Sequence, residues 1–288
     1  MNQSNLLPII IFAYNRPDHL KLTLDSLKKA HLSEQSIIYF FSDAAKNDLD
    51  ILKVNQVRAI INKTTGFFKK HIVFQEVNQG LAKSVINGVS TIISEYKGVI
   101  VLEDDIVVNK YFLQFMNKAF NQYSSHEKIG TITGYSPPVT FENYPYDILF
   151  STRSSTWGWA MSKENWESII WEKDYYNKLS TNKTFLKNLA KAGNDREKIL
   201  KGYLEGRLNI WGIRRGAWQI INNKYTLYPK HSMLYNIGLD GSGINCGIRD
   251  DNTLNYNAFF NPNNFPTDIE INIDTEKTIK NFYDLRKG

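Results

Sequence analysis

The feature that most constrains this chain is a rhythm of short apolar runs. Pro8–Tyr14 (PIIIFAY), Ser36–Phe41 (SIIYFF), His71–Val77 (HIVFQEV) and Lys97–Leu102 (KGVIVL) begin near residues 8, 36, 71 and 98. Continuous Val/Ile/Phe runs of this length fit strands buried on both faces. Between them lie segments with helical spacing: Asp18–Ala30, with Leu20, Leu24 and Leu27 on one face, Asp48–Asn62 and Leu81–Ser94. Strand–helix units of about thirty residues predict a parallel sheet with right-handed crossovers. All four strand ends then face one edge, where open α/β sheets bind ligands. That places Tyr14-Asn15-Arg16, Asp43, Asn78-Gln79-Gly80 and Glu103-Asp104-Asp105 around one crevice.

The fourth run ends in three consecutive carboxylates, Glu103, Asp104 and Asp105, before a second apolar run. Unpaired acids packed against an apolar strand repel one another. A hard divalent cation relieves that repulsion and accepts oxygen ligands, waters and substrate phosphates in its shell. The same residues also fit a simpler duty, capping the helix that begins near Asn109.

After a helix over Lys110–Tyr123 the rhythm breaks. Ile129–Thr133, Ile148–Thr152 and Thr156–Met161 read as short strands, and Ser162 caps a helix running to Trp171. Asn182–Ala192 and Arg196–Ile221 read as helices, the second weakened by four glycines. From Lys224 onward the chain is rich in Asn, Gly and Pro and reads as mostly irregular. The expected organisation is one compact unit of two parts, a βα half over 1–125 that carries the crevice and a second lobe over 126–288.

Composition narrows the function. A net charge of +6 suits an anionic ligand or an acidic membrane surface, but Lys and Arg are scattered, with no basic run of the kind that marks a nucleic-acid partner. Cys246 is the single cysteine, which rules out an intrachain disulfide and Cys-rich zinc sites. No segment has the length and apolarity of a spanning helix or signal peptide, so a cytoplasmic location is the default, with peripheral contact at the inner membrane face left open. The GxGxxG and GxxxxGK[ST] fingerprints, HExxH and Ser-His-Asp signatures are all missing.

The motifs in order, YNRP (Tyr14–Pro17), SDA (Ser42–Ala44), NQGLAKS (Asn78–Ser84), LEDD (Leu102–Asp105) and STWGWAMS (Ser155–Ser162), resemble nucleotide-sugar glycosyltransferases of the GT-A fold. Within that fold the chain is most similar to bacterial family 2-like surface polysaccharide transferases. The resemblance covers roughly Pro8–Cys246. It implies an α/β fold of GT-A type, a mainly parallel Rossmann-like sheet flanked by helices with a smaller acceptor lobe. It implies an inverting enzyme that moves a sugar from a UDP-sugar to a glycan or lipid-linked glycan acceptor, with Mn²⁺ or Mg²⁺. By the same resemblance Ala13, Tyr14 and Arg16 line the nucleotide, Asp43 bonds the uracil or ribose, and Gly80 lets the backbone pass close to it. Lys83 lies near the phosphates, Asp104 contacts ribose or sugar, and Asp105 ligates the metal. Trp157, Gly158 and Trp159 sit where donor sugar meets acceptor, and Arg214 and Arg215 hold the leaving diphosphate.

Two departures stand out. Relatives tend to carry an acid or a Ser-Trp pattern near Asn209-Ile210-Trp211, and this chain has no acid there, so Glu205 and Asp240 are the two candidates for the general base. Where relatives have Gly-Thr-His, this chain has Gly243-Ile244-Asn245, so the last metal ligand is Asn245, His231 or absent. Two other readings compete, a sugar nucleotidyltransferase and a transferase-like module that only binds. The first normally opens with a Gly-rich basic loop, which YNRP is not.

Overall fold

The computed structural model describes residues 6–243 and 254–285. Four strands alternate with helices as the apolar rhythm demands: β1 (Ile9–Ala13), α1 (Pro17–Lys28), β2 (Ile37–Ser42), α2 (Asp48–Lys63), β3 (Lys69–Phe74), α3 (Leu81–Ile93) and β4 (Gly98–Glu103). They pair in parallel in the order β3-β2-β1-β4. Every residue of β1 is buried. Its side chains alternate between two cores. Ile9 and Ile11 pack with Leu20, Leu24 and Leu27 of α1 and Val57 and Ile61 of α2. Ile10 and Phe12 pack with Val85, Val89 and Ile92 of α3 on the other face.

Helix starts follow local chemistry. Pro17 opens α1, where its missing N–H is no loss. The Asn47 side chain accepts the Leu49 N–H at the start of α2. Gly80, at φ 72°, turns the chain into α3.

After β5 (Ile106–Val108) and α4 (Phe112–Tyr123), the second half extends the same sheet. Its elements are β6 (Ile129–Thr133), β7 (Ile148–Ser151), β8 (Trp159–Ser162), α5 (Lys163–Glu167), α6 (Lys173–Leu179), α7 (Lys183–Leu189), α8 (Asp195–Leu204), α9 (Gly212–Ile221), β9 (Tyr225–Pro229), β10 (Leu234–Asn236) and α10 (Ile273–Leu285). The eight-stranded order is β3-β2-β1-β4-β8-β6-β9-β7, with β8 antiparallel to β4 from Gly98↔Ser162 to Val101↔Trp159. A separate ribbon pairs β10 antiparallel to β5.

Three expectations change. The helix expected over Arg196–Ile221 is two helices, because Gly206 adopts φ 77° and ends the first. The third strand runs over Lys69–Phe74 rather than His71–Val77, in register with β2 from Ile37↔Lys69. The helix after Ser162 ends at Glu167 rather than Trp171. The described chain beyond Lys224, irregular over most of its length as expected, still supplies β9 between β6 and β7, β10 against β5, and α10, which packs by Thr275 and Ile279. Among the described residues no helix is long and apolar enough to cross a membrane.

Candidate active site

At the tip of β4 the three carboxylates share one cation. Asp104 and Asp105 are 2% and 6% exposed. Arg16, the residue before α1, reaches both, pairing with Asp104 Oδ1 and lying 2.9 Å from Asp105 Oδ2. Asp104 is satisfied further, since its Oδ2 accepts the Tyr14 N–H at 3.1 Å and its carbonyl accepts the Thr23 hydroxyl at 2.8 Å. Asp105 is not: its Oδ1 is buried with no hydrogen-bond partner.

This surplus of negative charge shows in the titration of the group. Burial, then Asp105 and Asp104, push Glu103 up to about 8. Burial, with Asp104 adding to it, pushes Asp105 up to about 6 although Arg16 opposes the shift. Arg16 itself is held above its ordinary value against its own burial by Asp104, Asp105 and Glu103.

Among the described residues no three His, Cys, Asp or Glu side chains form a group able to hold a metal ion. The described residues therefore build no closed protein cage here. A single-anchor site is different. Asp105 Oδ1 is a buried anionic oxygen without a partner, and it fits a hard cation whose shell is completed by waters and ligand phosphates.

The ribbon of β5 and β10 lays a loop across this site. Asn236 pairs with Ile106, the Ile237 N–H donates to the Asp105 carbonyl at 2.9 Å, and Asn236 Oδ1 accepts the Gly238 N–H at 2.6 Å. A Cβ at Gly238 would stand 2.3 Å from Asp105 Oδ2, 2.6 Å from Arg16 Nη1 and 3.1 Å from Asn236 Oδ1. Only glycine lets the backbone come so near. Asn236 and Gly238 were not among the expected site residues; the signal available was their place a few residues upstream of the Gly243-Ile244-Asn245 stretch. Of the two expected late ligands, Asn245 lies outside the described residues. His231 lies elsewhere, with Nδ1 3.0 Å from Asn255 Oδ1 and its ring edge-on to Phe260.

Asp43, at the tip of β2, organises the neighbouring turn. Its Oδ1 accepts the N–H groups of Ala44 and Gln79, at 2.9 and 2.8 Å, and its Oδ2 accepts that of Gly80 at 2.9 Å. The Asp43 N–H in turn donates to the Ala13 carbonyl at 3.0 Å. The Tyr14 hydroxyl and Asn15 amide both donate to Asp50, on the first turn of α2, at 2.8 and 2.6 Å. Burial first, and then the bond to Asp50, push Tyr14 up to about 12. Lys83 is exposed on the first turn of α3. Across the crevice, the loop between α8 and α9 approaches Gly80, with Asn209 Nδ2 3.8 Å from a Cβ built there. Glu205, at the start of that loop, accepts from Arg207 Nε at 2.6 Å.

The Trp157-Gly158-Trp159 stretch departs from expectation. Trp157 is half-buried and meets Tyr135 edge-on at 4.8 Å. Gly158 has φ 49°, and a Cβ there would stand 2.3 Å from Leu234 Cδ2, so its glycine serves backbone geometry and packing beneath β10. Gly158→Ala is expected to destabilise the fold by about 1–3 kcal/mol, read from denaturant unfolding. Trp159 is 1% exposed, enclosed by Trp166 at 5.7 Å, Trp211 at 5.3 Å and the Arg215 guanidinium at 4.4 Å. It offers no ring face to a sugar. Arg215 is wholly buried, donates to the Ser155 carbonyl, and is pushed down to about 9 by burial. Arg214 donates to the Trp171 carbonyl at 2.7 Å. Both arginines are thus built into the lobe's interior, not presented to a diphosphate.

Comparison with known proteins gives the following. The sequence model of the family described as glycosyl transferase family 2 matches residues 9–193, more than half of the chain. No curated protein matches the sequence. Among solved structures, S. aureus TarS is 13% identical with a TM-score of 0.40, the match covering 59% of this chain and 31% of TarS. The mannosyltransferase PcManGT from Pyrobaculum calidifontis, in complex with GDP-Man and Mn²⁺, is 9% identical over 77% of this chain and 74% of its own, with a TM-score of 0.44. The galactosyltransferase LgtC, in complex with donor and acceptor sugar analogs, is 10% identical over 76% of this chain and 72% of its own, with a TM-score of 0.38. This chain therefore spans less than two thirds of the length of TarS.

Proposed function

This chain belongs to glycosyl transferase family 2, with the mixed, largely parallel sheet of the GT-A fold, and from that premise we propose that it transfers a sugar from a UDP-sugar to a glycan or lipid-linked glycan acceptor with inversion at the anomeric carbon. The acceptor belongs to a bacterial surface polysaccharide, met at the cytoplasmic face of the membrane. The observation that carries the reading is the unpartnered, buried Asp105 Oδ1 among surplus carboxylates at the edge where the parallel strands end.

Asp105 would hold Mn²⁺ or Mg²⁺, which when bound supplies positive charge against the diphosphate that leaves the sugar. The chain's own residues do the rest. Asp43 holds the Gln79–Gly80 turn so that its backbone passes close to the nucleotide. Asp50 fixes Tyr14 and Asn15, so the Tyr14 ring is preset as one wall of the base site. Lys83 adds a cation on the same rim, and Arg16 keeps Asp104 and Asp105 in place before donor arrives. Trp157, the one tryptophan of its pair with accessible surface, lines the sugar side.

For the base we favour Glu205. Its loop faces Gly80 across the crevice. Asp240 makes a poor proton acceptor, because hydrogen bonds from Ser242 first, and His19 after them, lower it to about 2. Glu205→Gln is expected to lower kcat by at least about 10²-fold with KM nearly unchanged. An unaltered kcat would remove Glu205 from the mechanism.

The primary test is calorimetric titration of UDP with Mn²⁺ present and then with EDTA. Metal-dependent binding that Asp105→Ala removes is the expected result. No binding of UDP or any other nucleotide, with either metal, would overturn the reading.

A further inference from the structure

The loop over the acidic site is fastened at its far end by a residue no motif points to. After Gly238 the chain buries Leu239, which is 4% exposed, and then turns outward at Asp240. Asp240 Oδ1 accepts the Ser242 N–H at 2.9 Å, and Oδ2 lies 3.1 Å from His19 Nε2. His19 stands in the first turn of α1, three residues after Arg16. A single helical turn therefore grips both partners of the crevice: Arg16 holds the carboxylates of the β4 tip, and His19 holds the loop that crosses them.

We propose that His19 is a positioning residue, which through Asp240 sets the Asn236–Gly241 loop over the Asp105 site and so prepares it for the nucleotide-sugar diphosphate. The last part rests on the functional reading above. Two observations support it. The loop meets Asp105 through its backbone at the Ile237 N–H and the bare Gly238, so its fit there depends on how its ends are held. One end is fixed by the β10–β5 ladder, and the other by the Asp240 pair. The charged groups around His19 are Asp240 on the loop, Asp105 beyond β4 and Arg16 at the cap position just before its own helix. Asp240 stays ionised at neutral pH, and so remains a permanent acceptor for the imidazole.

The assignment gives Asp240 a structural duty instead of a chemical one, and kinetics separates the two. His19→Ala and Asp240→Asn are each expected to raise the donor KM about two- to fivefold, the range for losing a partly exposed imidazole–carboxylate pair, with kcat changed less than twofold. The double variant is expected to be no worse than either single one. His19→Gln, which keeps an N–H donor, is expected to recover most of the loss. In the same proteins without nucleotide, backbone hydrogen exchange at residues 236–241 should quicken in His19→Ala and not in His19→Gln, while exchange in β1 and β4 stays unchanged.

Unchanged exchange in His19→Ala would overturn the fastening itself. Faster exchange with an unchanged donor KM would show that the loop does not serve the donor, and would overturn that half. A loss in kcat alone on Asp240→Asn would make Asp240 the base and overturn the assignment. A wild-type protein that binds no nucleotide would sink the functional reading and the donor half with it, with the exchange experiment still deciding the fastening.

Discussion

Replacing Asp105 with alanine is expected to abolish sugar transfer, by roughly 10³-fold or more, while leaving the fold intact. The isosteric Asp105→Asn protein should also be more stable than its parent at pH 8 when no metal is present. Both results come from one oxygen. In the metal-free protein, Asp105 is a buried carboxylate with one oxygen lacking a partner, beside two other acids and a single guanidinium. Asp105 and Glu103 are both raised in the fold, to about 6 and about 8. The native state therefore binds more protons than the unfolded chain between those values and the ordinary carboxylate range. Their contribution to stability is complete below about pH 4 and is lost as pH rises through 6 towards 8. Thermal melts in EDTA from pH 5 to 9 should show the parent weakening with pH and Asp105→Asn weakening less. Added Mn²⁺ should restore the parent alone. Full transfer by Asp105→Ala, or identical pH slopes for parent and Asp105→Asn, would contradict this account.

Arg16→Ala is expected to be the most destabilising single change at the site, by about 3 kcal/mol at pH 8, because it strands buried carboxylates without their counter-charge. The loss should shrink at pH 5, where Asp105 and Glu103 take up protons in place of the missing cation. Urea unfolding at the two pH values measures both numbers. An equal loss at each pH would mean that Arg16 acts through packing of its aliphatic stem, not through charge.

The parallel half of the fold was legible because three of its four strands, β1, β2 and β4, are buried on both faces. The edge strand β3 is partly exposed, and its bounds were the ones misread. Runs such as IIIF and GVIVL have no polar side to confuse the period, and the four polar tips follow from topology alone. The second half hid for opposite reasons. β9 ends in a proline, β10 is three residues long, and α10 buries only Thr275 and Ile279, so none carries a strong periodic signal. At the site, residue types were legible and partnerships were not. Arg16 read as a nucleotide ligand, yet its guanidinium is engaged by acids 88 and 89 positions later in the chain. Trp159 read as a sugar platform, yet it is enclosed by Trp166, Trp211 and Arg215, which arrive from two other helices and the turn before one of them. Asn236 and Gly238 were marked only by their place upstream of Gly243, and His19 by nothing local. What matters about them is a long-range approach, to Asp105 for the first two and to Asp240 for the third.

The antiparallel seam between β4 and β8 has a mechanical meaning. Backbone hydrogen bonds run without interruption from the strand that ends in the acids to the strand that follows Gly158. Two halves stitched in this way have no hinge between them and cannot close on a substrate like jaws. Among the described residues, enclosure of the reacting groups falls to segments outside the sheet, the crossing at residues 205–211 and the one at 236–241. Changes of substrate preference should accordingly be accessible by exchanging those two segments, on a platform whose strands stay where they are.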